Sequence, residues 1–315
     1  MRILALSGFV PEHICDTVRF SGFSGDRNIS LYCGYASDYI SQVLKDSSID
    51  GAVYPKSCDS TRIISSYLKE SGKFSYQVAV PSLRTDDAVN YYAHSIKEYK
   101  RAVEAFYEIQ IDDVKERTEL LNKRNAEIKE VYENITQFSY VSYLSTLHDI
   151  FGKPLRTQAF EAEKIGRSAN KGNKKTFLVG SYLANIKIAE IIEASGFTVV
   201  GDNLPESGRL ASADPVDMGG DIYEGIAKSI LSGRLSPTQN NFSDLVRNDI
   251  NEIKNKGAQC VIYITQKYCE PYDFLFSYYK VQMDKKGIPI LHLTLNDTED
   301  DRKIALAVEA FADTL

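Results

Sequence analysis

The sequence has little of what several classes of protein need. Its 315 residues include no tryptophan and only four histidines, and 37 Lys and Arg are outnumbered by 43 Asp and Glu, a net charge of −6. An acidic balance argues against a nucleic-acid-binding protein, which usually presents a basic face. No apolar run approaches the roughly 18 residues of a membrane helix, and the apolar first residues lack a signal-peptide cleavage pattern. We therefore expect a cytoplasmic protein that binds neither nucleic acid nor a membrane.

Cysteine and histidine are scarce in a way that limits the metal chemistry. Five cysteines in 315 residues are too few for a disulfide scaffold. In a cytoplasmic chain such cysteines are free, metal-binding or catalytic. The histidines include no His-x-x-x-His pair, so a zinc site carried by one helix has little support. Any metal chemistry must therefore depend on thiolates.

Short apolar or β-branched runs alternate with helical segments along the chain. The predicted strands are residues 2–6, 29–33, 51–54, 76–80, 176–179, 198–200, 259–264 and 288–293. The predicted helices include residues 37–44, 60–70, 185–194 and 271–285. This alternation is typical of parallel sheets with crossover helices. It predicts an α/β protein with two domains, each a small parallel sheet flanked by helices.

The middle of the chain has a different character. Residues 86–160 are almost free of Gly and Pro and carry apolar residues at helical spacing, which predicts a helical connector. A polar segment at 167–175 reads as an exposed linker. We therefore place an N-terminal domain with its connector at 1–160 and a C-terminal domain at 161–315.

Three cysteines follow predicted strands at the point where each strand ends. Cys33 and Cys58 do so in the first half, and Cys269 does so in the second. Ligands of open parallel sheets bind at the carboxyl ends of the strands, and enzyme sites often lie between domains. We therefore expect these thiols to converge in an interdomain cleft.

The chemistry of three convergent thiols leaves several possibilities. Soft sulfur ligands favour iron–sulfur clusters, zinc or cuprous ion. A four-iron cubane normally takes four thiolates, so three would leave one iron open; a three-Cys zinc site and ordinary buried cysteines are alternatives. Cys15, in a predicted helix beginning near Pro11, and Cys260, at the start of a strand, are interpreted as core residues.

Three further residues near the strand ends are candidates for substrate binding. Ser37 follows Cys33 by one helical turn and is either a donor near the sulfur or a helix cap. Ser181 follows Gly180 in a loop that either binds a phosphate or makes a tight turn. Arg209 is either a bidentate anion ligand or a solvated charge.

Several longer segments resemble one known family. They are Leu31-Tyr-Cys-Gly-Tyr-Ala-Ser, Gly51-Ala-Val-Tyr-Pro-Lys-Ser-Cys-Asp-Ser, Ile191-Ile-Glu-Ala-Ser-Gly-Phe-Thr-Val-Val-Gly-Asp, Gln266-Lys-Tyr-Cys-Glu-Pro-Tyr and Lys286-Gly-Ile-Pro-Ile-Leu-His-Leu. In this order they resemble the 2-hydroxyacyl-CoA dehydratase subunits and the related benzoyl-CoA reductase subunits. The chain looks like a short form of the D-component, the iron–sulfur subunit.

The resemblance implies a site and a reaction. In that family three cysteines hold a [4Fe–4S] cluster with one open iron, and the matching residues here are Cys33, Cys58 and Cys269. The family implies a separate ATP-dependent iron–sulfur activator that supplies one electron. The electron passes to the thioester carbonyl of an acyl-CoA-type substrate, whose ketyl radical anion loses its hydroxyl group. A second subunit is also implied, either a paralogue in a heterodimer or a second copy.

Other functions remain open at this point. The chain could be a non-catalytic electron-transfer partner subunit, a benzoyl-CoA reductase-like subunit, or a three-Cys zinc protein. The substrate cannot be read from these residues.

Overall fold

The computed structural model describes residues 2–6, 8–20, 33–167, 174–183, 185–239, 241–295 and 301–315. These residues form two four-stranded sheets in which every pair of strands is parallel, each flanked by helices. The predicted α/β fold class is therefore confirmed. None of the described helices has the length and apolar character needed to cross a membrane.

The first sheet has the strand order β2-β1-β3-β4. Its strands and the helices between them are β1 (Ile3–Ala5), β2 (Thr17–Arg19), α1 (Gly34–Lys45), β3 (Gly51–Lys56), α2 (Asp59–Arg62), α3 (Ile64–Leu68) and β4 (Phe74–Ala79). Alternate residues of a strand face opposite sides of the sheet. Leu4 and Tyr54 accordingly pack with α1 and α3, whereas Ile3 and Val53 pack with helices from later in the chain.

Three long helices follow the first sheet, where the sequence predicts a helical connector. They are α4 (Asp86–Tyr107), α5 (Val114–Glu133) and α6 (Tyr140–Phe151). α4 and α6 begin at side-chain caps, because Thr85 accepts a hydrogen bond from the N–H of Ala88 and Ser139 accepts one from the N–H of Ser142. α4 packs on the first sheet, whereas α6 joins the core of the second.

The second sheet has the strand order β6-β5-β7-β8. The rest of the chain comprises β5 (Lys174–Gly180), α7 (Ile186–Ala194), β6 (Phe197–Asn203), α8 (Gly208–Ala211), α9 (Ile222–Ser232), α10 (Phe242–Asn255), β7 (Cys260–Gln266), α11 (Glu270–Lys286), β8 (Ile290–Leu295) and α12 (Asp301–Asp313). α10 and α11 cover one face of this sheet. α6, α7 and α12 cover the other face.

One helix of the second half of the chain packs on the first sheet. α9 belongs to the second half by sequence, yet Ile226 and Leu231 pack in the core of the first sheet with Tyr92 and Tyr99 of α4. The chain therefore crosses between the sheets after β6 and returns before α10. The division into domains at 160 and 161 stays a prediction.

Some sequence predictions differ from the structure. Turns and bends occupy residues 12–15, so the predicted helix near Pro11 is wrong, and the short strand β2 follows. If these residues formed a helix, they could not form the connection that brings β2 beside β1. The predicted helix 60–70 is divided into α2 and α3, and α9 and α10 were not predicted. Within the predicted strand 29–33 and linker 167–175, residues 29–32 and 168–173 lie outside the described part of the chain.

Gly180 marks the end of β5 and offers a test of the fold. A Cβ at this position would collide with the backbone carbonyl oxygen of Ile264 in β7. We therefore expect Gly180→Ala to lower the free energy of unfolding by about 1–3 kcal/mol, as overpacked sites do. Gly220→Ala is the matched control, since a Cβ there meets no atom within 4 Å. Equal denaturant midpoints for the two variants would contradict the described contact between β5 and β7.

Candidate functional site

Each of the three cysteines selected from the sequence is the N-cap residue of a helix. Cys33 precedes α1, Cys58 precedes α2 and Cys269 precedes α11. Cys58 lies two residues beyond β3 and Cys269 three residues beyond β7, at the carboxyl ends of parallel strands. The topology therefore brings thiols from two sheets towards one place.

The three thiols line a single cavity of about 110 Å³. Cys33 and Cys58 come from the first sheet's connections, and Cys269 comes from the second. Arg209 is the one charged side chain among the described residues that line the cavity. Most of the remaining wall is apolar or carries hydroxyl groups. A ligand in this cavity would therefore meet thiol, hydroxyl and apolar groups and one guanidinium.

Burial and mutual contact raise the pKa values of two of these thiols, those of Cys58 and Cys269. A hydrogen-bond contact with Cys33, together with burial, raises the pKa of Cys269 well above the usual thiol value. Burial raises the pKa of Cys58, although the N–H groups of Thr61 and Ser60 favour its thiolate. Helix N-termini normally lower thiol pKa values, but desolvation outweighs that effect here. Metal binding at these sulfurs would therefore release protons.

The candidate donors of this cavity are thiols, which are ligands for soft metals. In the described part of the chain, no group of three or more His, Cys, Asp or Glu is arranged so that it could hold a metal ion. The thiols thus share a cavity without forming a mononuclear site. In an iron–sulfur cluster each cysteine binds a different iron, so its ligands need not meet at one point. No carboxylate or imidazole among the described residues lines this cavity to compete for the metal.

Two of the three predicted substrate-binding residues line the same cavity. Ser181 follows β5, and its backbone N–H donates to the carbonyl of Ile264, which continues the pairing of β5 with β7 by one residue. Arg209 also lines the cavity. Its guanidinium donates to Oδ1 of Asn203 at 2.8 Å and to the hydroxyl of Tyr272 at 2.6 Å, which fixes its orientation.

Ser37 occupies a different position. It is buried within the first turn of α1, where its N–H donates to the carbonyl of Cys33 at 3.1 Å. It is not among the described residues that line the cavity. The structure therefore places Ser37 behind Cys33, and its assignment to substrate binding stays a prediction.

Buried polar atoms lie beside this cavity, and the sequence interpretation selected Ser181 but missed Tyr182 and Glu206. Ser181 Oγ, Tyr182 Oη and Glu206 Oε2 have no hydrogen-bond partner among the described residues. The other oxygen of Glu206 accepts from the N–H of Leu183 at 2.8 Å. Burial raises the pKa of Glu206 to about 8, so its carboxyl group is largely neutral at pH 7. Glu206 follows the end of β6, and the strand-end rule used for the cysteines could have found it.

The fold and this site define an α/β protein with two parallel sheets and a thiol-lined cavity to which both contribute. A model of the family described as 2-hydroxyglutaryl-CoA dehydratase, D-component, matches residues 3–315. The chain therefore belongs to this family, as the sequence resemblance predicted, and is a component of the 2-hydroxyacyl-CoA dehydratase type. No curated protein matches the chain significantly.

The neutral carboxyl of Glu206 predicts a specific pH dependence of stability. Its folded pKa of about 8 lies above the ordinary value of 4.5, so the folded chain retains a proton that the unfolded chain loses between these values. Stability therefore falls as pH rises through this window. In the wild type, the neutral carboxyl should lower the free energy of unfolding by up to about 1.4 kcal/mol for each pH unit in this window. We expect Glu206→Gln to abolish this decrease.

The measurement is denaturant unfolding of both proteins from about pH 5 to about pH 8. The exposed Glu130→Gln serves as the control and should keep the wild-type slope. Parallel pH profiles for wild type and Glu206→Gln would show that Glu206 is ionised in the folded chain.

Proposed function

We propose that this chain is the iron–sulfur subunit of a radical 2-hydroxyacyl-CoA dehydratase-like enzyme. In this proposal Cys33, Cys58 and Cys269 hold one [4Fe–4S] cluster, with the fourth iron open. The observation that carries it is the shared cavity of these three thiols in a chain that the dehydratase family matches over residues 3–315.

The chemistry divides between the cofactor and the chain. When bound, a cluster with an open iron supplies one electron to the substrate carbonyl and so permits the hydroxyl group to leave as water. The chain supplies three thiolates, the cavity that they share and a guanidinium held by hydrogen bonds. Arg209 is held by Asn203 and Tyr272, and in this proposal it binds an anionic or carbonyl oxygen of the substrate. Ser181 has a buried hydroxyl that is available to the same ligand.

The proposal also requires partners. Membership of a dehydratase component family implies further subunits. We propose a paralogous subunit or a second copy of this chain, and a separate ATP-dependent iron–sulfur activator that delivers the electron. The proposed substrate is a small acyl-CoA-type molecule, and the proposed location is the cytoplasm, where ATP and the activator are present.

Serine substitutions test the ligand assignment. Cys58→Ser and Cys269→Ser should lose most of the bound iron after anaerobic purification, because a hydroxyl is a much poorer ligand for iron than a thiolate. Cys15→Ser and Cys260→Ser are matched controls, since both of those thiols are buried and neither lines the cavity. The measurement is iron per chain together with the visible absorption spectrum.

The controls make the outcome decisive. Retention of wild-type iron by Cys58→Ser or Cys269→Ser would contradict the assignment of that ligand. Equal loss in the Cys15→Ser and Cys260→Ser proteins would mean that iron binding follows general stability and not the cavity.

Turnover distinguishes a catalytic subunit from one that only relays electrons. With an activator, ATP, a reductant and the partner subunit, we expect the chain to convert a 2-hydroxyacyl-CoA to its enoyl-CoA. The measurement is chromatographic separation of the two thioesters. Under the same conditions Arg209→Gln should raise KM, since Arg209 lines the thiol cavity and in this proposal binds substrate oxygen. Reduction of the aromatic ring of an aromatic acyl-CoA thioester, with no dehydration, would instead indicate a reductase subunit.

A further inference from the structure

The helix α11 carries apolar side chains on its outer face as well as on its inner face. The inner face packs against the second sheet and contains Tyr272, Leu275, Tyr279 and Met283. The outer face carries Phe274, Tyr278 and Val281, whose exposed fractions are 70%, 39% and 48%. A surface helix normally has polar residues on its outer side, and a helix that is apolar on all sides is normally covered on all sides. The outer face of α11 therefore indicates a contact with another molecule.

The exposed apolar residues of α11 belong to one continuous face. Residues three, four or seven positions apart lie on the same side of a helix. Phe274, Tyr278 and Val281 have this spacing, and further exposed residues extend the row towards both ends of the helix. We call the complete row the α11 face; it consists of Glu270, Phe274, Ser277, Tyr278, Val281 and Lys285. An exposed apolar patch with polar residues at its rim is typical of a protein–protein contact.

The two charges of the α11 face have opposite signs and lie at opposite ends. Glu270 is in the first turn of α11 and Lys285 in the last, about 22 Å apart at the rise of an α-helix. Neither side chain has an ion-pair partner among the described residues, whereas Lys280 and Asp284, outside the face, pair with each other at 2.7 Å. The helix dipole favours these signs at the two ends, but it does not account for the apolar residues between them.

This arrangement makes the α11 face complementary to itself. A two-fold interface brings the same patch of two copies together, so each residue must suit the residue that it meets. When two copies of α11 are placed antiparallel with the midpoints of their faces in contact, Glu270 of each copy lies opposite Lys285 of the other. Phe274 likewise lies opposite Val281. Apolar groups thus meet at the centre, and opposite charges meet at both ends.

We propose that the α11 face is the contact surface of a symmetric dimer of this chain. A second copy is the occupant because it supplies both an apolar centre and the matching charge at each end. The inference deepens the proposed function, and it rests on that function only in requiring a further subunit: it selects a second copy and names the surface. Cys269 immediately precedes α11, so the dimer contact uses the helix that follows a proposed cluster ligand.

Sedimentation equilibrium of the chain as purified, with no partner subunit added, tests this surface. We expect the wild type to dimerise and Phe274→Ser to weaken dimerisation by about a hundredfold or more, because a central aromatic side chain is removed twice in each dimer. Leu306→Ser is the matched control, since Leu306 is 67% exposed but lies on α12, which covers the opposite face of the second sheet. It should dimerise as the wild type does.

Charge reversal tests the antiparallel arrangement. Glu270→Lys or Lys285→Glu alone places like charges opposite each other at both ends, and each should weaken dimerisation by about tenfold or more. The double variant Glu270→Lys/Lys285→Glu restores opposite charges at both ends and should dimerise as the wild type does. In a parallel pair of helices the double variant would not regain affinity. A thermal scan of each variant identifies any loss of the fold.

Several results would overturn the proposal. One is a wild-type chain that remains monomeric up to about 0.1 mM, including a chain that associates only with a paralogous subunit. A second is a dimer that Phe274→Ser leaves unchanged, and a third is equal loss of dimerisation in the Leu306→Ser control. A double variant no better than the single ones would also contradict the antiparallel contact. Iron content is a separate measurement on the same samples, so failure of the dimer and failure of the cluster assignment are distinguishable.

Discussion

The site depends on the parallel arrangement of both sheets. Parallel strands present all their carboxyl ends at one edge, so residues far apart in sequence meet wherever two such edges face each other. Cys58 follows β3 and Cys269 follows β7, yet both line one cavity. The same edge carries Ser181 after β5 and Arg209 shortly after β6. An antiparallel strand in either sheet would send its following loop to the opposite edge.

Desolvation then determines the chemistry of the side chains gathered there. Burial keeps the carboxyl of Glu206 and the ring of His13 neutral, and raises the pKa of the Cys58 thiol. The charges that remain are mainly guanidiniums, which cannot lose their proton. Arg209 is consequently the one charged side chain in the described lining of the thiol cavity.

The sequence predicted those parts of the molecule that follow local rules. Seven predicted strands overlap strands of the structure, and the strand-end rule selected Cys33, Cys58 and Cys269, which line one cavity. The features that the sequence did not predict depend on long-range packing. The three-residue strand β2 exists because it pairs with β1, and α9 is placed by its contact with α4 and not by its neighbours in sequence. Burial of Glu206 and His13 likewise results from the meeting of distant segments.

The most direct measurement is the iron and acid-labile sulfide content per chain, with an absorption spectrum, for protein purified without oxygen. The account predicts about four of each and a broad brown absorption, as for one cubane. Stoichiometric zinc, or no metal after anaerobic reconstitution with iron and sulfide, would contradict the proposal that the three thiols hold a cluster.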